Sequence, residues 1–216
     1  MESKGFIKKV IIAGAFAAAS TMVLGGCSGG SSGGSGSGNT ENTSKSARIK
    51  DSLASYPKAD MSGYTGLEGY DKDLQFVEMS VQDIKKEMDN KGTFVFWASY
   101  SACPYCNTLI QYLNDVALDE GVKVGYLDTR KNPEWKSNME IDDYDLFVQM
   151  FDDYLKLDEN EKKHLYVPHT FFIKDGRVVY SHEGVVENLE STSEELSDEN
   201  KEEVRKAVRK GFESMR

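Results

Sequence analysis

Cysteine is scarce in this chain, with three in 216 residues: Cys27, Cys103 and Cys106. That excludes a disulfide-stapled scaffold. Basic charge is also short, since 26 Lys and Arg face 36 Asp and Glu for a net charge of −10, which argues against nucleic acid and anionic lipid as partners. No internal repeat is present. No EF-hand loop with glycine at its sixth position accompanies the acidic runs DDYD, DD and DENE between Asp142 and Glu161, so they read as solvated faces rather than calcium sites. The one apolar run, from Val10, has about 17 residues at ~1.5 Å each and spans about 25 Å, short of a ~30 Å hydrocarbon core. With 39% hydrophobic residues the length supports one globular domain plus tails, and not two well-cored domains.

What is present begins with a secretory layout: Lys4, Lys8 and Lys9, the apolar run, then small residues up to Cys27. Leu24-Gly25-Gly26-Cys27 resembles the lipobox of bacterial lipoproteins, which implies cleavage before Cys27 and its lipidation. Two acyl chains on that residue suffice for stable anchoring. The signal carries three lysines against Glu2, so its loss takes the net charge from −10 to −12. A glycine/serine tract follows Cys27 and behaves as a tether reaching roughly 25 Å for about 20 residues. The expected organisation is a signal peptide over 1–26, a lipid anchor, flexible linker and poorly ordered lead-in over 27–70, and a folded domain over 71–216. The expected location is the extracytoplasmic face of the cell membrane, where thiols oxidise.

Within the domain, LQFVEMS suggests a short strand and Ser80 caps a helix carrying Val81, Ile84 and Met88 on one face, with Gly92 ending it. TFVFWAS reads as a strand buried on both faces, and it leads into the cysteine pair. A helical stripe of Leu109, Tyr112, Leu113 and Val116 follows, stopped by Gly121, and VKVGYLDT is the next strand. This β-α-β-α-β order with crossover helices implies parallel pairing in an α/β domain with both sheet faces covered. Phe147, Met150, Phe151 and Tyr154 mark an amphipathic helix. VPHTFFIKDGRVVYSHEG reads as a hairpin turning at Asp175-Gly176, and a last helix carries Val204, Ala207, Val208 and Phe212.

With Cys27 lipidated, Cys103 and Cys106 are left as the one possible disulfide. Strand, Cys-x-x-Cys, helix places Cys103 at a helix N-cap and Cys106 one turn inside, with both sulfurs on one face. Pro104 suits the first helical position. The unpaired N–H groups and dipole of the helix start favour a thiolate at Cys103, the attacking group, and leave Cys106 as the resolving thiol of disulfide exchange. Tyr105 either touches a substrate or covers the disulfide.

Strand order, CPYC, a long helical insertion, Val167-Pro168 opening a hairpin and a terminal helix together resemble the thioredoxin superfamily from Leu74 to Phe212, with Phe96-Trp97-Ala98 similar to its strand before the active site. The resemblance implies a thioredoxin-like fold with a central mixed sheet, a cis proline at Pro168 facing the cysteines, and a substrate-docking backbone at Val167. It implies protein thiols and disulfides as substrates, a separate redox partner and no cofactor. The Pro-Tyr dipeptide is that of glutaredoxins, and CPYC and Val167-Pro168 with a surface location resemble thioredoxin-like accessory proteins of bacteriocin export. Two departures stand out. Trp97 to Cys103 holds two residues more than the thioredoxin pattern, and the buried carboxylate of that family falls here on apolar Val95 or Phe96, which leaves Cys106 without the family's proton acceptor.

Two rival readings remain. Cys103 and Cys106 have zinc-ligand spacing when combined with His164 and His169, although a regular α/β pattern is unlike a small metal-organised unit; no metal is expected. The domain is otherwise a non-catalytic binding module, in which an idle surface thiol is a liability. The anchor is tested directly: Cys27→Ala should move the signal-cleaved protein from the membrane fraction to the medium, and membrane retention of a correctly cleaved, unlipidated chain would contradict the tether.

Overall fold

The computed structural model describes residues 49–130, 143–186, 189 and 195–216; Cys27, the signal and the glycine/serine tract lie outside them. At the centre is β2, Phe94–Ser99, buried at every position. Parallel to it runs β3, Val124–Asp128, and parallel to β3 on the far side is β1, Phe76–Glu78. On the other flank β6, His169–Lys174, pairs antiparallel with β2, and β7, Arg177–Glu183, pairs antiparallel with β6. Among the described residues this makes one mixed sheet in the order β1-β3-β2-β6-β7, a thioredoxin-like arrangement. A small ladder, β4 at Lys156–Leu157 with β5 at Lys163–His164, precedes β6. Asp175 and Gly176 have φ of 51° and 75°, the left-handed pair a type I′ hairpin turn demands.

Both faces are covered. One carries α2, Pro104–Glu120, and α4, Asp198–Ser214, over Val95, Trp97, Val124 and Phe172. The other carries α1, Val81–Asp89, and α3, Tyr144–Phe151, over Phe94, Phe96, Phe171 and Ile173. Phe96 stacks on Phe171 with centroids 4.7 Å apart. Each such fully buried ring contributes about 1.5–3 kcal/mol. No described helix is long and apolar enough to cross a membrane.

Three expectations need correction. The left-handed residue that ends α1 is Lys91, φ 57°, and not Gly92. The helix begun at Tyr144 stops at Phe151, short of the exposed Tyr154, and Asp152 and Asp153 stand where the negative end of the helix dipole disfavours carboxylates. The third concerns the lead-in. Its glycines suggest loose packing, yet from Ile49 onward it buries Leu53, Met61 and Tyr64. Backbone bonds from Ala59 N–H to Phe76 C=O (3.1 Å) and from Glu78 N–H to Pro57 C=O (2.8 Å) lay it along the edge of β1, where an open strand edge is covered.

The lead-in then crosses to α2, where the Gly66 N–H donates to Asn107 Oδ1 at 2.8 Å and the Gln111 amide donates to the Gly66 carbonyl. The approach is so close that a Cβ at Gly66 would stand 2.0 Å from the Asn107 carbonyl oxygen. Gly66→Ala must therefore push the lead-in off α2, at about 1–3 kcal/mol of stability by the usual cost of overpacking. A urea titration should show the lowered midpoint, and an unchanged midpoint would show that this contact does not hold the lead-in.

Candidate active site

The site starts where β2 runs out. Ser99 is the last strand residue, and a turn closed by the Cys103 N–H to Tyr100 C=O bond (3.1 Å) delivers the chain to α2. Cys103 is the N-cap, in extended backbone conformation, and Pro104 opens the helix. The Cys103 Sγ accepts the Cys106 N–H at 3.2 Å, doing for the helix what a serine cap oxygen does elsewhere. Asn107 locks the turn: its amide donates to the carbonyls of Ser101 (2.6 Å) and Cys103 (2.9 Å) while its oxygen holds Gly66.

The two sulfurs have unequal surroundings. Cys103 is 4% exposed, flanked by exposed Pro104 and Tyr105, whereas Cys106 is fully buried among Leu109, Ile110 and Leu113. At 41% exposure Tyr105 points toward solvent rather than forming a lid. The Val167–Pro168 bond is cis, and Pro168 is buried. The Cys103 thiol donates weakly to the Val167 carbonyl at 3.9 Å, so residues 64 apart in sequence meet at one end of the sheet.

This inequality separates the thiols chemically. The Cys106 thiol hydrogen-bonded to it, the N–H groups of Cys106 and Tyr105 and the positive Arg130 hold the Cys103 pKa below the ordinary thiol value, outweighing partial burial. Arg130, two residues past β3, lies over the Tyr100 ring at 3.9 Å. Burial, and then the neighbouring Cys103, push the Cys106 thiol far up, so it stays protonated at neutral pH. One sulfur is set to attack and the other to hold its proton.

Three residues that patterning passed over sit behind Cys106. Ser99 is fully buried, and its Oγ is 2.7 Å from the Tyr64 hydroxyl, which donates to the Tyr126 hydroxyl at 3.2 Å. Ser99 was visible as the polar end of an otherwise apolar strand; Tyr64 carries no local signal, because it arrives from the lead-in. Val95 and Phe96 are both buried, so hydrocarbon occupies the positions where the resemblance would place a buried carboxylate. His164, His169 and the cysteines do not gather, and among the described residues no group of three or more His, Cys, Asp or Glu is arranged to hold a metal. His169 lies on the opposite sheet face, stacked on Phe171 at 4.1 Å, and burial drives its pKa down to about 3, which keeps it neutral.

No family model and no curated protein matches the sequence. Solved structures that resemble it include a thioredoxin from Trypanosoma brucei brucei, 15% identical over 67% of this chain and 96% of that one with a TM-score of 0.40. Thioredoxin O2 from Arabidopsis thaliana in the oxidized state is 16% identical over 52% of this chain and 85% of that one, TM-score 0.34. A thioredoxin-fold protein from Helicobacter pylori is 12% identical over 71% and 99%, TM-score 0.28. Likenesses this distant add nothing about activity, and the functional reading stands on the site itself.

Because the folded pKa of Cys103 is depressed, its thiolate stabilises the reduced protein most fully above the free-thiol value of about 8.5, and that stabilisation is lost as pH falls through the folded pKa. Alkylation of Cys103 by iodoacetamide should therefore show a pH midpoint below that of free cysteine, and Arg130→Gln should raise it. A wild-type midpoint at or above the free-cysteine value would contradict the thiolate assignment.

Proposed function

We propose that the chain is a thiol–disulfide oxidoreductase that acts on protein thiols and disulfides through Cys103 and Cys106, tethered outside the cytoplasm by a lipid on Cys27. The observation that carries the reading is the opposed environment of the two sulfurs, one a helix cap with a lowered pKa and the other a buried thiol with a raised one. A structural or metal-binding pair has no need of that difference.

In the reductive direction the Cys103 thiolate attacks one sulfur of a substrate disulfide. A Cys103–substrate bond forms, the substrate S–S bond breaks, and the first substrate thiolate leaves. Cys106 then gives up its proton and attacks the Cys103 sulfur, closing the Cys103–Cys106 disulfide and expelling the second thiolate. The substrate gains two electrons and the protein dithiol loses them. Oxidation runs the same steps backwards from the disulfide, and isomerisation stops at the mixed disulfide; the direction depends on a reduction potential and on a redox partner in the same compartment.

Val167, half-buried beside Cys103, suits a docking backbone whose main-chain groups bind an extended peptide, so that many sequences are accepted at one site. Support for the tether is the signal, the lipobox-like Leu24–Cys27 and the glycine/serine tract, a layout in keeping with the likeness to accessory proteins of bacteriocin export.

Cys106→Ser should accumulate mixed disulfides with extracytoplasmic proteins, visible as thiol-sensitive bands on non-reducing gels, while Cys103→Ser should trap none. Equal trapping by both variants would overturn the assignment of attacking and resolving sulfurs, and no interconvertible disulfide in the wild type would overturn the redox reading.

A further inference from the structure

Disulfide exchange at this pair needs a route for one proton. Cys106 must become a thiolate at the moment it attacks Cys103, yet it is fully buried against Leu109, Ile110 and Leu113, and apolar Val95 and Phe96 occupy the strand where a carboxylate would take the proton. Bulk water does not reach the sulfur.

Behind Cys106 the buried hydroxyls form a line that begins at Ser99, whose side chain hydrogen-bonds the Cys106 thiol. Ser99 ends β2 on the sheet face that α2 covers, the same face as Trp97 two residues earlier. Its Oγ meets the Tyr64 hydroxyl at 2.7 Å, and Tyr64 donates to Tyr126 at 3.2 Å. Tyr64 and Tyr126 are 3% and 7% exposed, and their rings pack edge to face at 6.0 Å, with Tyr64 also 5.5 Å from the Trp97 ring. Asp128 follows two residues after Tyr126 on the same face of β3 and is the register partner of Ser99. With Tyr126 it lines a hollow of about 280 Å³ whose wall also includes Asp60 and Glu78.

We propose that Ser99, Tyr64 and Tyr126 form a hydroxyl relay that carries the Cys106 proton to Asp128 at the solvent-facing hollow, replacing the buried carboxylate that the strand lacks. The inference rests on the redox reading of the pair.

The transfer balances. The Cys106 proton passes to the Ser99 oxygen as Ser99 hands its own to Tyr64, Tyr64 hands one to Tyr126, and Tyr126 hands one to the Asp128 carboxylate; the Cys106 sulfur, now anionic, attacks Cys103, and Asp128 later releases its proton to water. Every hydroxyl accepts one proton and donates one, so none ends charged. The Tyr64 hydroxyl spends its one hydrogen on Tyr126, which leaves Ser99 to supply the hydrogen between Ser99 and Tyr64, and Tyr126 in turn hydrogen-bonds Asp128. Burial pushes both phenols well above their ordinary range, so neither dissociates alone at neutral pH and the hops must be concerted.

Among the described residues, the ionisable groups facing Cys106 are Cys103, Tyr64, Tyr100 and Tyr126, with the Arg130 charge beside Cys103. Those facing Asp128 are Tyr126, Asp60 and Glu78, and its Oδ1 accepts the Arg130 backbone N–H at 2.9 Å. Positive charge thus sits by the attacking sulfur and negative charge at the far end of the line, the polarity that draws a proton outward.

Reaction of the full reduced protein with 5,5′-dithiobis(2-nitrobenzoate) in stopped flow separates the steps, because the first thionitrobenzoate released reports Cys103 attack and the second reports Cys106. Tyr64→Phe, which keeps the ring, should leave the first phase within twofold and slow the second at least tenfold; Ser99→Ala should do the same. Asp128→Asn should shift the pH midpoint of the second phase without moving that of the first. The wild-type second phase should show a D2O effect whose dependence on deuterium fraction is curved, as several protons in flight require, and nearly linear in Tyr64→Phe. A second phase unchanged in rate, pH profile and isotope effect in both Tyr64→Phe and Asp128→Asn would overturn the relay. Should Tyr64→Phe fail to fold, Asp128→Asn at the half-buried end decides alone. Absence of any Cys103 phase in the wild type would instead overturn the redox reading.

Discussion

The first turn of α2 has backbone N–H groups with no partner inside the helix, and the group that meets one of them is a sulfur. A cap that accepts hydrogen bonds is better the more negative it is, so the same geometry that starts the helix stabilises a thiolate. Folding and reactivity are coupled here through one atom. Protonating or oxidising Cys103 weakens the cap, and anything that frays the first turn weakens the nucleophile. Asn107, which fastens the turn at Ser101 and Cys103 and the lead-in at Gly66, therefore guards the chemistry without touching a reacting atom.

The sheet enforces the second asymmetry. β2 passes through the middle of the domain with hydrocarbon on both sides, so the residue one helical turn past Cys103 has to enter the core. That burial keeps Cys106 protonated until a mixed disulfide forms beside it. His169, next to the cis proline, suffers the same desolvation on the opposite face and is neutral for the same reason, which removes the imidazole from the chemistry although it is close in sequence to the docking residues.

Much of this was legible in the sequence wherever the physics is local. The Asp175-Gly176 turn, the Ser80 helix cap, the Gly121 helix end and the apolar run of β2 each depend on a few neighbouring residues, and each formed where the pattern indicated. The cysteine pair was legible because strand, cap and helix adjoin. Helix α3 was read too long because periodicity counts apolar positions and not the carboxylates at the negative helix end. Tyr64 and the lead-in were missed for a different reason. A segment that covers a strand edge and crosses a helix needs no periodicity of its own, and its glycines, which look like looseness, include Gly66, where backbone must touch backbone.

The lead-in thus redraws the unit that composition suggested. A chain trimmed at residue 71 would retain CPYC, the cis proline and all of the described sheet, and by any inspection of motifs it would look complete. It would also expose the β1 edge, uncover the back of the sulfur pocket where Met61 and Tyr64 now pack, and take Leu53 out of the core on the opposite sheet face. Recombinant forms, domain swaps and grafts of this fold should accordingly be cut before Ile49, since the smallest piece that contains the motif is smaller than the smallest piece that contains the site.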